Sequence, residues 1–144
     1  MQDTYEYLVN TKFLEFNLYD DKRKFITEEN LNGKWSVIFF YPKDESPGCT
    51  LQSCSFRDKY EEFKELGVQI FGVSSDSVSS HRKFKEKYNL QYSLLSDKGG
   101  ILAKNLRLKK NLGLIAARVT LIINPEGLII YAHTSQLGVM GHVR

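Results

Sequence analysis

Residues 35–41, Trp-Ser-Val-Ile-Phe-Phe-Tyr, form a near-continuous apolar run dense in aromatic and β-branched side chains. A strand with one wet face alternates apolar and polar residues. This run instead suits a strand buried on both faces, at the centre of a sheet with layers above and below it. Residues 68–74, Val-Gln-Ile-Phe-Gly-Val-Ser, read as a second such strand. Between the two, Phe56, Tyr60, Phe63 and Leu66 recur at steps of four, three and three, with Gly67 after them. That is one stripe of an amphipathic helix, ended by the glycine. A second helix follows, capped by Asp76 or Ser77, carrying Val78, His81, Phe84 and Tyr88 on one face and stopping near Asn89. His81 lies on this apolar stripe and reads as a packing residue rather than a catalytic one.

The remaining segments fill in around that frame. Residues 12–19 alternate apolar and polar, a charged turn follows, and Phe25-Ile26-Thr27 completes an N-terminal β-hairpin. Residues 92–97 form a short strand candidate, and residues 99–114 a short helix with an irregular loop. Residues 118–134 read as two strands about the turn Asn124-Pro125-Glu126-Gly127. Strands alternating with helices imply an α/β architecture, a central mixed sheet flanked by helices, in a single domain over 1–144.

Charge and apolar content exclude some function classes. No run of about 18 apolar residues exists, so no membrane span is expected. The polar, acidic opening is unlike a secretory or transit segment, and a cytoplasmic location is the default expectation. Net charge is +3, and basic residues are interleaved with acidic ones rather than gathered in the stripe that nucleic acid requires. The chain has only two cysteines. In a reducing compartment a close pair is catalytic, redox-sensing or metal-binding. Zinc needs about four ligands, and the three histidines have no spacing that joins them to the cysteines.

Both cysteines fall in Phe39–Cys54, where the first buried strand gives way to a helix. Ser46 is placed as the N-cap and Pro47 as the first helical residue, where a missing N–H is harmless. Cys49 then lies in the first turn. Unpaired N–H groups and the positive end of the helix dipole favour an anion there, and the thiolate is the nucleophilic form of cysteine. The alternative is that Cys49 is simply a small apolar core residue. Cys54 weighs against that, because it could condense with an oxidised Cys49. Arg118 interrupts the apolar start of its strand. It either faces solvent or supplies a fixed positive charge beside a thiolate.

The segment Tyr-Pro-Lys-Asp-Glu-Ser-Pro-Gly-Cys-Thr-Leu-Gln-Ser-Cys (41–54), with Arg-Val-Thr-Leu-Ile-Ile-Asn-Pro-Glu-Gly (118–127), resembles the peroxiredoxins. The similarity runs from Gly33 to Gly127 and is greatest to the bacterioferritin comigratory protein (PrxQ-type) branch. Pro42, Ser46 and Cys49 match the family's active-site pattern in order and spacing, Arg118 matches its arginine, and Cys54 matches a resolving cysteine of that branch. The resemblance implies a thioredoxin-like fold and a peroxidase needing no metal or prosthetic group. Cys49 would attack a hydroperoxide and become a sulfenic acid, Cys54 would condense with it, and a thioredoxin-type dithiol would reduce the disulfide. Arg118 and backbone N–H groups would stabilise the charges involved, Ser46 would hold thiolate or peroxide, and Pro42 would shield the pocket.

Three departures from the branch stand out. Ser46 replaces its common threonine, Thr11–Phe16 lacks its proline, and the chain stops at Gly141-His142-Val143-Arg144 where relatives continue into a helix. A fold without that C-terminal helix is therefore expected, as a monomer or weak dimer. Two rival readings share the fold. A thiol–disulfide oxidoreductase would carry Cys-x-x-Cys, whereas four residues intervene here. A non-catalytic redox sensor would pass its oxidation to a partner.

Overall fold

The computed structural model describes residues 5–111, 114–115 and 118–135 of the 144-residue chain. The N-terminal hairpin pairs β1 (Asn17–Asp20) with β2 (Phe25–Thr27) in antiparallel register, Leu18 opposite Ile26. Its turn closes because the Asp20 carboxylate accepts the Lys22 and Lys24 N–H groups at 2.8 and 2.9 Å. The strand is shorter than the alternation from Lys12 suggests. Lys12 bridges Leu128 instead, and the Phe13 N–H donates to the Gly127 carbonyl. Pairing with a distant turn has overridden the local pattern.

The first buried run forms β3 (Trp35–Phe40), followed by α1 (Pro47–Asp58), α2 (Tyr60–Glu65) and β4 (Val68–Ser74). The expected single helical stripe is thus broken at Lys59. Phe56 is buried, and Tyr60 and Phe63 pack against the same cluster, but Leu66 is 74% exposed. The break changes the helical phase, and Leu66 falls at the C-cap just before Gly67, whose φ of +74° ends the helix. Next come α3 (Val78–Tyr88), β5 (Ser93–Ser96) and α4 (Ile101–Asn105). The Ser77 hydroxyl caps α3 by accepting the Ser80 N–H, and left-handed Asn89 closes it. The loop beyond α4 carries two short paired strands, β6 (Lys110–Asn111) and β7 (Leu114–Ile115). Finally β8 (Arg118–Ile123) and β9 (Ile129–Ser135) flank the turn Asn124–Gly127.

Seven strands make one sheet in the order β2-β1-β5-β4-β3-β8-β9, with β3, β4 and β5 parallel and the outer pairs antiparallel. This is the mixed, helix-flanked sheet expected of a thioredoxin-like fold. As β3 advances, Ile38 and Phe40 enter a core with α4 and the N-terminal segment, while Val37 and Phe39 enter one with α1 and α3. The near-continuous apolar run therefore meets apolar partners on both sides. Burying each large side chain contributes about 2 kcal/mol. Among the described residues, no helix is long and apolar enough to cross a membrane. The expectation of a missing terminal helix concerns residues 136–144, outside the described residues.

Candidate active site

The C-terminal end of β3 delivers the chain into a tight loop, and α1 starts at Pro47 as expected. Cys49 occupies the first turn and is 1% exposed, in the core cluster with Phe39, Tyr41 and Phe56. The Thr50 N–H donates to the Ser46 carbonyl at 2.8 Å, the first hydrogen bond of the helix, so Ser46 is its N-cap residue. Ser46 holds the N-cap position as expected, but its side chain caps no N–H; its hydroxyl donates to the Lys43 carbonyl at 2.9 Å. The first-turn N–H groups are thereby left to other partners, which suits a site that attracts an anion. Ser46 and Pro42 are both half-buried on this loop.

Arg118 enters from the neighbouring strand. In β8, Val119, Leu121 and Ile123 enter one core, whereas Ile122 packs with the cluster on the α1 face. Alternation puts Arg118 on the α1 face as well, and it is only 9% exposed. Its guanidinium lies so close to Gly48 that a Cβ on that glycine would sit 2.9 Å from Nη1. The cation thus lies against the start of α1, at the residue before Cys49. The solvent-facing reading of Arg118 is therefore corrected.

Cys54 lies further along the same unbroken helix and is half-buried; both cysteines are free thiols. Burial pushes the Cys54 thiol above its ordinary range, Arg57 draws it down, and Asp58 raises it. The neutral thiol is the form the folded helix prefers. In Cys49→Ser protein, the pH midpoint of Cys54 alkylation by iodoacetamide should therefore lie higher folded than in urea. An equal or lower midpoint in the folded protein would contradict this environment.

A buried polar network anchors the loop, and the sequence reading missed it. The Tyr41 hydroxyl donates to Asp44 Oδ1 at 2.6 Å, and Asp44 Oδ2 meets His81 Nδ1 at 2.8 Å and accepts the Ser80 hydroxyl at 2.8 Å. The Asp44 N–H donates to Asp76 Oδ2, and His81 Nε2 faces the Leu95 carbonyl at 3.0 Å. Burial puts the Tyr41 hydroxyl well above the usual phenol range, so it acts as a fixed donor. His81, 0% exposed, does sit in the packed core, but as a polar anchor rather than an apolar filler. A histidine at a buried stripe position was the available signal, and nothing in the sequence tied it to Asp44. Glu45, at φ +65°, turns the loop into Ser46, and its carboxylate is held by Lys87 and the Tyr88 hydroxyl.

Asp44, Asp76 and His81 place ligating atoms within 4.8 Å of one another. Those atoms already serve hydrogen bonds inside the network, so the cluster is explained as a loop anchor rather than a metal centre. Asp44→Ala should cost about 3 kcal/mol of stability, since His81, Tyr41 and Ser80 would lose a buried partner. Chemical denaturation measures this. A loss no larger than a surface pair, below about 1 kcal/mol, would contradict it.

Comparison with known proteins places this geometry among relatives. The sequence model of the AhpC/TSA family matches residues 9–132. The chain is 40% identical over 129 residues to the chloroplastic peroxiredoxin Q of Suaeda salsa, covering 89% of this chain and 60% of that protein. It is also 40% identical to a putative peroxiredoxin bcp of Coxiella burnetii, over 89% of this chain and 88% of that one. The chain thus spans about 60% of the length of the plant relatives it matches. Among solved structures, peroxidoxin BcpB of Mycobacterium tuberculosis superposes with a TM-score of 0.85 at 31% identity, covering 93% and 90% of the two chains. A bacterioferritin comigratory protein of Xanthomonas campestris, described for alkyl peroxide reduction, does so with a TM-score of 0.82 at 34% identity over 89% and 85%.

Proposed function

We propose, for a chain that belongs to the AhpC/TSA family, that Cys49 reduces hydroperoxides and that Cys54 resolves the oxidised product. The observation that carries this reading is the Arg118 guanidinium against Gly48, at the helix turn that holds Cys49. The helix N-terminus and the cation present positive potential at this turn. The Cys49 thiolate, the nucleophilic form of the side chain, attacks the distal oxygen of the hydroperoxide, the O–O bond breaks, and the departing alkoxide or hydroxide takes up a proton. Arg118 and the first-turn N–H groups face the charge that develops on the two oxygens. The Ser46 hydroxyl, on the residue that leads into this turn, would exchange its Lys43 bond for the incoming peroxide. Pro42, with no N–H of its own, limits water at the loop.

The Cys49 sulfenic acid then condenses with the Cys54 thiol, forming a disulfide and releasing water. A thioredoxin-type dithiol resets the pair by thiol–disulfide exchange. Hydrogen peroxide and organic hydroperoxides are the proposed substrates; the Xanthomonas campestris relative's alkyl peroxide reduction supports the second class. No group beyond the two thiols is needed for this chemistry. Because both cysteines lie on one helix, the cycle closes within one chain, and a monomer or weak dimer suffices. Resetting draws on a dithiol pool, which makes the cytoplasm the proposed compartment. The test is peroxide-dependent NADPH oxidation with thioredoxin and thioredoxin reductase. Sustained turnover is expected; insulin reduction without peroxide turnover would return the oxidoreductase alternative.

The resolving step demands motion. Five residues along a helix separate Cα atoms by about 8 to 9 Å, whereas a disulfide needs them within about 7 Å. Oxidation should therefore unwind roughly residues 48–55, where Gly48, Thr50 and Ser53 give little helix propensity. Hydrogen exchange should show lost protection across 49–54 in the oxidised protein. Equal protection in both states, with the bond present, would exclude the unwinding.

A further inference from the structure

Tyr92 sits at the start of the segment entering β5, 3% exposed, its ring edge-on to Phe39 at 5.7 Å. Its hydroxyl donates to the Ser53 carbonyl at 2.8 Å. Ser53 is fully buried and lies between the two cysteines, one residue before Cys54. The tyrosine therefore grips the stretch of α1 that must open. Further along the helix, Arg57 Nη1 donates to the Tyr88 carbonyl at 2.8 Å, and the Gln91 amide donates to the Arg57 carbonyl at 3.3 Å. Those two bonds lie beyond Cys54 and tie the rest of α1 to the same 88–92 segment. The Tyr92 bond holds the part that opens, and the two others hold the part that stays.

We infer that Tyr92 is a positioning residue whose bond to the Ser53 carbonyl sets how readily α1 opens between Cys49 and Cys54. The inference rests on the cysteine-pair reading above. A sulfenic acid at Cys49 has two fates. If the helix opens, Cys54 reaches it and a disulfide forms. If the helix stays closed, a second hydroperoxide transfers an oxygen to the sulfur, giving a sulfinic acid and releasing an alcohol or water. The Tyr92 bond favours the closed form, and so it shifts the balance toward the sulfinic acid when peroxide is abundant. Burial keeps the Tyr92 hydroxyl protonated, its ionisation pushed far above the usual phenol range, so the grip does not fade over physiological pH.

The test is Tyr92→Phe in the full chain, which keeps the ring against Phe39 and removes only the donor. Loss of one buried hydrogen bond should speed amide exchange at residues 50–54 of the reduced protein about fivefold. Disulfide formation after a single peroxide turnover should quicken by about the same factor. The first step, read as loss of peroxide in that turnover, should keep its rate. The peroxide concentration giving half sulfinic acid should rise correspondingly. A parent protein that forms the Cys49–Cys54 bond, beside a variant with identical exchange, disulfide rate and sulfinic yield, would overturn the inference. A parent that never forms the bond would overturn the cysteine-pair reading instead; the exchange rates of residues 50–54 in the two reduced proteins would then still decide the grip.

Discussion

Cys49→Ser is expected to slow the reaction with peroxide by about 10³-fold or more, because a serine hydroxyl cannot replace a thiolate as the attacking group. Cys54→Ser is expected to leave that first reaction near its parent rate. The two thiols stand in different places. Cys49 is buried in the first turn beside Gly48 and the Arg118 guanidinium, while Cys54 lies mid-helix where burial favours its neutral thiol. With Cys54 absent, the sulfenic acid at Cys49 has no partner on its helix. It should persist long enough to be trapped by dimedone, then pass to sulfinic acid as peroxide is raised. Stopped-flow consumption of one equivalent of peroxide, followed by intact-mass spectra, separates the two variants. Equal loss of the first reaction in both would remove the distinction between attacking and resolving cysteine.

Arg118→Met should slow the same first step by about 10²-fold, the scale seen when one preorganised donor to a developing oxyanion is removed. Methionine follows the course of the arginine stem, so packing on the α1 face should survive. Thermal unfolding close to that of the parent is the control for this. Arg118→Lys restores a charge but not the planar fork, and should recover only part of the rate. An Arg118→Met protein that is folded and reacts at the parent rate would leave the cation by Gly48 without a chemical role.

Much of the fold was legible because its central strands are buried on both faces. Continuous apolar runs at 35–40 and 68–74 announce such strands without reference to any neighbour. Local signals also served where the physics is local: they narrowed the cap of α3 to Asp76 or Ser77, of which Ser77 caps it, and placed its end near Asn89. The misses lie where local signals are silent or permit more than one outcome. The break at Lys59, which turns Leu66 to solvent, carries no proline or glycine to announce it. The Ser46 hydroxyl had two acceptable roles, cap or loop bond, and only the loop's geometry chose between them.

The site divides along the same line. Cys49, Pro42 and Ser46 are close in sequence and fall on one loop and helix turn, so their spacing was informative. Arg118 is far from them in the chain, and its contact with Gly48 exists only because β8 lies beside β3. Asp44 looked like one polar loop residue among several. Its link to His81 crosses 37 residues, and no periodicity could have joined them.

The most direct test of the account is non-reducing peptide mapping of the parent protein after one equivalent of hydrogen peroxide. The account predicts one product, a bond between Cys49 and Cys54 within a single chain, reversed by a thioredoxin-type dithiol. Two free thiols after the peroxide has been given time to react, or an oxidised Cys54 beside an intact Cys49, would contradict it.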